Sequence, residues 1–313
     1  MPDKHAEPFA PSHAFSVRFP DNKTHLCTAA SIASFFEQEG FVVLSQAIPS
    51  ELLQEWQVFS QDYFRTSFQV LHQLGHIQAP YPQDSAGHYT LGLGAKNGFR
   101  EIVMRSPGRF ELSLLNLNAD RFQCQSVGSA KGHFIDNFRI PDINAMISLL
   151  EPLLPSLLRK NTLKDLKLCH VSLLVAVPGS TDQAWHADGG HVSLSEHLPC
   201  HCVNIFIPLH DVPLRMGPTE FRPGGHFLTR NLAPMMLSAK CRKTLRAPVW
   251  PALVQQDVVL FDYRVLHRGR ANTTKINRHV LVVTFCEAWF QDVLNFPKRS
   301  MLDPLVNCGG ETA

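Results

Sequence analysis

No run of apolar residues in the 313-residue sequence approaches the roughly 18 that a bilayer-crossing helix needs, so a membrane span is not expected. Nor is there an excess of either charge. A net charge of +2, with 18% charged residues, is too balanced to point to nucleic acid or a membrane surface as partner. The opening Met1-Pro2-Asp3-Lys4-His5-Ala6-Glu7-Pro8 lacks the basic and then apolar pattern of a secretory signal. The eight cysteines follow no regular framework, which fits reduced thiols better than a disulfide scaffold. What remains is an ordinary globular composition, 44% hydrophobic, long enough for one large or two modest domains with ample core. The expectation is a cytoplasmic chain of enzyme size.

Along the chain, residues 1–27 are rich in Pro, His and polar residues and read as an arm. Within it, Arg18 to Leu26 has the outline of a peroxisomal address, the alternative location, although Pro20 disfavours the helix such an address needs. Thr28–Gly40 reads as a helix closed by Gly40, Phe41–Leu44 as a short strand, and Pro49–Trp56 as a second helix with Ser50 as N-cap. Residues 80–100 read as a long loop of the kind used for lids, where Tyr81, His88, Tyr89 and Arg100 could touch a substrate. Residues 101–115 look like opening strands, with Arg105 and Arg109 either on the surface or facing a pocket to bind an acidic group, and residues 141–161 like one apolar helix.

From Leu166 onward the pattern changes. Cys169–Val177, the stretch around His186, Cys202–Leu209, Val258–Leu266 and His279–Phe285 read as short strands separated by Gly/Pro turns with no helix between them. That order predicts an antiparallel sandwich or barrel, mainly β with flanking helices. One domain over residues 28–300 and a tail over residues 301–313 complete the expected organisation.

The chemistry concentrates in Gln183-Ala184-Trp185-His186-Ala187-Asp188-Gly189-Gly190. On an extended chain residues i and i+2 share a face, so His186 and Asp188 can reach one ion together. A third ligand stands roughly 80 residues on, where the apolar run Val258 to Leu266 ends in His267. Two histidines and a carboxylate on one face of iron(II) leave positions free for a co-substrate and oxygen. Zinc accepts the same three ligands, and a zinc-dependent hydrolase or a non-oxidative metal- or ligand-binding barrel would use them equally well. Eleven residues past His267, Arg278 opens the strand His279–Phe285, and a guanidinium there could hold a dicarboxylate by its far end.

Taken with these residues, the chain resembles the phytanoyl-CoA dioxygenase-like family of iron(II)- and 2-oxoglutarate-dependent oxygenases. The resemblance rests on Trp185-His186-Ala187-Asp188, His267-Arg268-Gly269 and Arg278, and runs from about residue 30 to about 290. Between them, Met216 to His226 is similar to the family's Gly-Pro-Thr … Pro-Gly-(Ser/Thr)-His turn, with Gly225 where a small hydroxyl residue is usual. The resemblance implies a double-stranded β-helix of jelly-roll or cupin type, its halves joined by the turn at 217–225. It also implies iron(II) on His186, Asp188 and His267, which would be the catalytic centre, and 2-oxoglutarate on Arg278. Thr219 could offer its hydroxyl and Gln183 its amide to the co-substrate. The implied reaction is oxidation of a small organic metabolite with oxygen, hydroxylation first among the possible outcomes, releasing succinate and carbon dioxide. Asp188 supports this, because related halogenases have a small residue at that place to admit halide.

Other groups compete. His191 lies three past Asp188, but the intervening Gly189-Gly190 need not return it to the ion. His197, Cys200, His201 and Cys202 make a compact cluster whose spacing is tighter than structural zinc sites use. His170 and His226 read as structural. Trp185 suits either a core or a pocket wall, and Asn204, on an apolar strand, would need a partner if buried. No basic cluster stands out for the phosphates of coenzyme A.

Overall fold

The computed structural model describes residues 16–18, 28–114, 140–292 and 295–302. Most of the N-terminal arm, the peroxisomal-type segment beyond Arg18 and the tail beyond Leu302 lie outside them.

Strand β1 (Ser16–Arg18) is followed by helix α1 (Ala29–Glu39). The Thr28 side chain accepts the Ser31 N–H to start that helix, and Gly40 at φ 82° ends it, in a left-handed conformation that favours glycine. Strand β2 (Phe41–Ser45) leads to α2 (Ser50–Gln73), a helix of 24 residues. Here Pro49 holds the cap position without a side-chain bond, so Ser50 is the first helical residue and not the expected cap. Leu53, Trp56, Ser60, Tyr63, Ser67 and Leu71 recur at three and four along the buried face of α2.

Irregular chain then reaches the hairpin β3 (Ile102–Ser106) and β4 (Arg109–Ser113). The expected helix over 141–161 is two short ones, α3 (Asn144–Leu150) and α4 (Leu154–Leu157). Pro152 and Pro155 lack the N–H that a continuous helix would donate, so the chain breaks between them. Next come β5 (Leu166–Ala176), β6 (Cys202–Pro208), β7 (Thr219–Phe221), α5 (Gly225–Leu228) and α6 (Leu232–Cys241). Strands β8 (Val258–Asp262), β9 (His267–Gly269) and β10 (Arg278–Glu287) complete the order.

Eight strands form one open sheet in the order β1-β2-β8-β6-β10-β5-β4-β3, antiparallel except for the β1–β2 pair. β7 and β9 form a small second sheet. The turn at 217–225 is therefore more than a joint, because Thr219–Phe221 within it is a strand of the second sheet. Likewise Val258–Leu266 is not one strand. It stops at Asp262, whose carboxylate accepts the Arg264 N–H and guanidinium, and this turn carries the chain across to β9.

Both faces of the large sheet are covered, and side-chain parity divides them. Val258 and Leu260 of β8, Val203, Ile205 and Ile207 of β6, and Leu281, Val283 and Phe285 of β10 pack toward α1 and α2. Their alternates Val259, Phe261, Phe206, Val280 and Val282 join Phe221 of the small sheet in a second core. This is the mainly β, double-stranded β-helix arrangement with flanking helices, its large sheet unclosed. The site lies on the second face.

Candidate active site

Parity places the site residues. On β10, Arg278 shares a face with Val280 and Val282; on β6, Asn204 shares one with Phe206; on β5, Ser172 shares one with Leu174. All face the small sheet. The segment carrying His186 is extended chain that contacts β9 at two points: His186 and His267 exchange both backbone hydrogen bonds at 3.0 and 2.9 Å, and the Gln183 N–H donates to the Gly269 carbonyl at 2.9 Å. It is not a regular strand, since β9 has only three residues to offer it. Asp188 is fixed from the other side, as its N–H and that of Gly189 both donate to the Tyr263 carbonyl. Gly189 is required there, because a Cβ would stand 1.8 Å from the Tyr263 ring.

These contacts bring one ligand atom each of His186, Asp188 and His267 within 4.8 Å of one another. The Asp188 Oδ1 is 3.7 Å from His186 Nε2 and 3.6 Å from His267 Nε2. In each histidine Nδ1 lies 2.9 Å from a backbone carbonyl, Ala184 for His186 and Val265 for His267. A donor hydrogen on Nδ1 leaves the Nε2 lone pair free for a metal. The His267 ring is buried between Phe221 and Phe261, and burial pushes its pKa down to about 4, so it is neutral, as a ligand must be. Asp188 Oδ2 accepts the Asn204 amide at 2.6 Å, while Thr284 donates to the Asn204 carbonyl oxygen at 2.6 Å. Asn204 thus has both ends partnered and holds the carboxylate in orientation.

A cavity of about 320 Å³ opens on the triad, and its walls include Leu174, Phe206, Gln183, Thr219, Arg105 and Arg278. Arg278 is 1% exposed. One of its terminal nitrogens donates to the Gly217 carbonyl, while Nε and Nη2 are buried without a hydrogen-bond partner. No carboxylate pairs with it among the described residues. Burial, and then the nearby Arg109, lower its pKa to about 9. Gln183 accepts the Gly269 N–H on its side-chain oxygen at 2.9 Å, which fixes the amide at the wall.

The family model described as phytanoyl-CoA dioxygenase (PhyH) matches residues 119–280, just over half the chain. The chain belongs to that family. It is accordingly a non-haem iron, 2-oxoglutarate-dependent enzyme, and the donor set agrees: an open two-histidine, one-carboxylate site beside a buried guanidinium lacking an anion. Solved structures share the fold. The α-ketoglutarate-dependent carbocyclase SnoK from nogalamycin biosynthesis is 16% identical, with TM-score 0.50, over 82% of this chain and 83% of its own. AviO1 from Streptomyces viridochromogenes Tue57 is 16% identical, with TM-score 0.50, over 86% of this chain and all of its own.

The remaining candidates separate clearly from this family site. His191 bonds Thr229 and meets His197 edge to face, away from the triad. The His197, Cys200, His201 and Cys202 cluster does not converge on a common point: among the described residues only His186, Asp188 and His267 group as metal ligands. Trp185 is neither core nor cavity wall; it lies between the guanidiniums of Arg222 and Arg268, at 5.1 and 4.9 Å. Arg109 is wholly buried behind the cavity floor, donating to Ser106 and to the carbonyls of Thr181 and Arg270. A Cβ on Gly269 would touch its guanidinium, so β9 needs glycine at that place. Asn295 and Tyr263 carry no signal in the sequence that would mark them as site residues. Asn295 lines the cavity and bonds the Tyr263 hydroxyl and Asp292, and neither residue stands in a motif.

Proposed function

We propose that the chain hydroxylates a small organic metabolite, using iron(II) held by His186, Asp188 and His267 and 2-oxoglutarate anchored by Arg278. The observation that carries this reading is the pair of partnerless buried nitrogens on Arg278, in the same cavity as the triad. A buried cation without a counter-ion is costly, and a carboxylate that meets it with two hydrogen bonds removes the cost. A hydrolase or a simple metal binder would need no such group.

Thr219 and Gln183, beside Arg278 and the triad in the wall, would flank the co-substrate. Gln183 has its oxygen committed to Gly269, so its amino end is the one left to donate. Asn204 keeps the Asp188 carboxylate turned toward the histidines, and the two backbone carbonyls hold both imidazoles in the ligating tautomer. Leu174 and Phe206 shed water from the cavity, which protects the reaction from side paths. Bound iron and 2-oxoglutarate supply the oxidising power, dioxygen giving one oxygen atom to succinate as carbon dioxide leaves and the other to the substrate. Because Asp188 fills the carboxylate position, a halide would have no place on the metal there, which favours hydroxylation over halogenation.

Anaerobically iron-loaded protein exposed to oxygen should form succinate slowly from 2-oxoglutarate, and His186→Ala should abolish it. A folded, iron-loaded protein that neither binds nor turns over 2-oxoglutarate would disprove the proposal.

A further inference from the structure

The cavity that opens on the triad contains a second guanidinium, that of Arg105 on β3. Its setting differs from that of Arg278. Arg105 Nε donates to Glu111 Oε2 at 2.6 Å, and the other Glu111 oxygen accepts the Ser172 hydroxyl at 2.6 Å. One face of the guanidinium is covered by the Phe296 ring, 4.7 Å from the ring centroid. The side chain is thus pinned at Nε and braced flat, with 19% of its surface exposed. Of five N–H donors on a guanidinium, one is used. The Nη1 and Nη2 groups have no hydrogen-bond partner among the described residues.

We infer that the substrate to be hydroxylated is a small carboxylic acid, held by its carboxylate on the free Nη groups of Arg105. The inference rests on the function proposed above, which assigns Arg278 to the co-substrate and leaves Arg105 to the substrate. A planar pair of N–H donors matches the two oxygens of a carboxylate, a match a lone carbonyl does not make. A phosphate monoester fits less well, since Glu111 already offsets the charge of Arg105 and a dianion would leave twice the uncompensated charge that a carboxylate does. Size also limits the ligand: 320 Å³ is at the low end for small-molecule sites, and the co-substrate shares it. Leu174 and Phe206 suit an apolar carbon skeleton.

The test uses full-length protein loaded with zinc, which keeps the site closed to redox chemistry, and saturated with 2-oxoglutarate. Calorimetric titrations compare straight-chain carboxylic acids of three to eight carbons with their N-methyl amides and with alkyl phosphates of matched length. Acids should bind about tenfold to a hundredfold more tightly than their amides. The paired change Arg105→Gln with Glu111→Gln removes both charges together, leaves no buried carboxylate unpaired, and should erase that preference. Acids that bind no better than amides, phosphates that bind best, no binding by any acid, or a preference that survives in the folded double variant would each overturn the inference. Wild-type protein that fails to bind 2-oxoglutarate defeats the co-substrate reading; one that binds it but none of the acids defeats only this one.

Discussion

Replacing Arg278 by methionine separates what this residue does for the fold from what it does for the ligand. The fall in guanidinium pKa from its ordinary value to about 9 corresponds to a penalty of about 5 kcal/mol on the charged form. At pH 7 both the native and the unfolded chain hold the proton, so the whole penalty acts against folding. It is relieved only above about pH 9, where the unfolded chain is still protonated and the native one is not, so stability rises with pH there. Methionine removes the penalty but strips the Gly217 carbonyl of its donor, a loss of about 1–3 kcal/mol. The metal-free Arg278→Met protein should therefore be as stable as the parent, or more stable by about 2–4 kcal/mol. Its affinity for 2-oxoglutarate should fall by about 2–5 kcal/mol, or about 30- to 5,000-fold, the usual cost of truncating one partner of a buried charge pair. Scanning calorimetry of the metal-free proteins and 2-oxoglutarate titration of the zinc-loaded ones measure the two effects. A variant that melts lower than the parent yet binds 2-oxoglutarate within threefold of it would refute the reasoning on both counts.

Other perturbations test the supports of the site. Asn204→Ala leaves the three ligands in place but frees the Asp188 carboxylate, so chelator competition should show metal affinity about 10- to 100-fold weaker; an unchanged affinity would mean that the contact does not orient the ligand. Gly189→Ala puts a methyl group 1.8 Å from the Tyr263 ring and should cost about 1–3 kcal/mol in urea unfolding together with most of the metal affinity, and normal values of both would contradict the packing described. His279 is buried beside Phe64, and burial lowers its pKa to about 3. Its native form is neutral while the unfolded form takes a proton below about pH 6.5, so its contribution is complete above that pH and is lost as pH falls toward 3. In His279→Phe the fall in stability between pH 6 and 4 should be shallower by up to about 1.4 kcal/mol per pH unit. Urea midpoints measured across that range decide it, and parallel slopes for the two proteins would show that His279 is not the group being titrated.

The metal triad was legible because two ligands stand at strand spacing and the third ends an apolar run, features local enough to survive without a fold. The first helix was legible for a similar reason, since Thr28 and Gly40 mark its ends chemically. Where the outcome depended on partners distant in the chain, the pattern said less. Arg105, Arg109 and Glu111 are the clearest cases. In a sheet solvated on one face, charges mark the outer side and the alternation is visible. Here helices cover one face and the small sheet the other, so β6, β8 and β10 read as nearly unbroken apolar runs and hide which parity points where. The same fact can be turned around. A charged residue inside a strand whose neighbours of both parities are buried has no solvated face to occupy, so it must point at a cavity or be paired within the core. Arg109, with Phe110 and Leu112 packed on the helical side, bonds to carbonyls, whereas Arg278, buried and with no acid beside it among the described residues, faces the cavity. By that criterion an arginine opening a doubly buried strand is either bonded within the core, as Arg109 is, or turned to a cavity as a place for an anion, as Arg278 is, and one followed at close spacing by a glutamate, as Arg105 is by Glu111, is a charge held in place for a second acceptor.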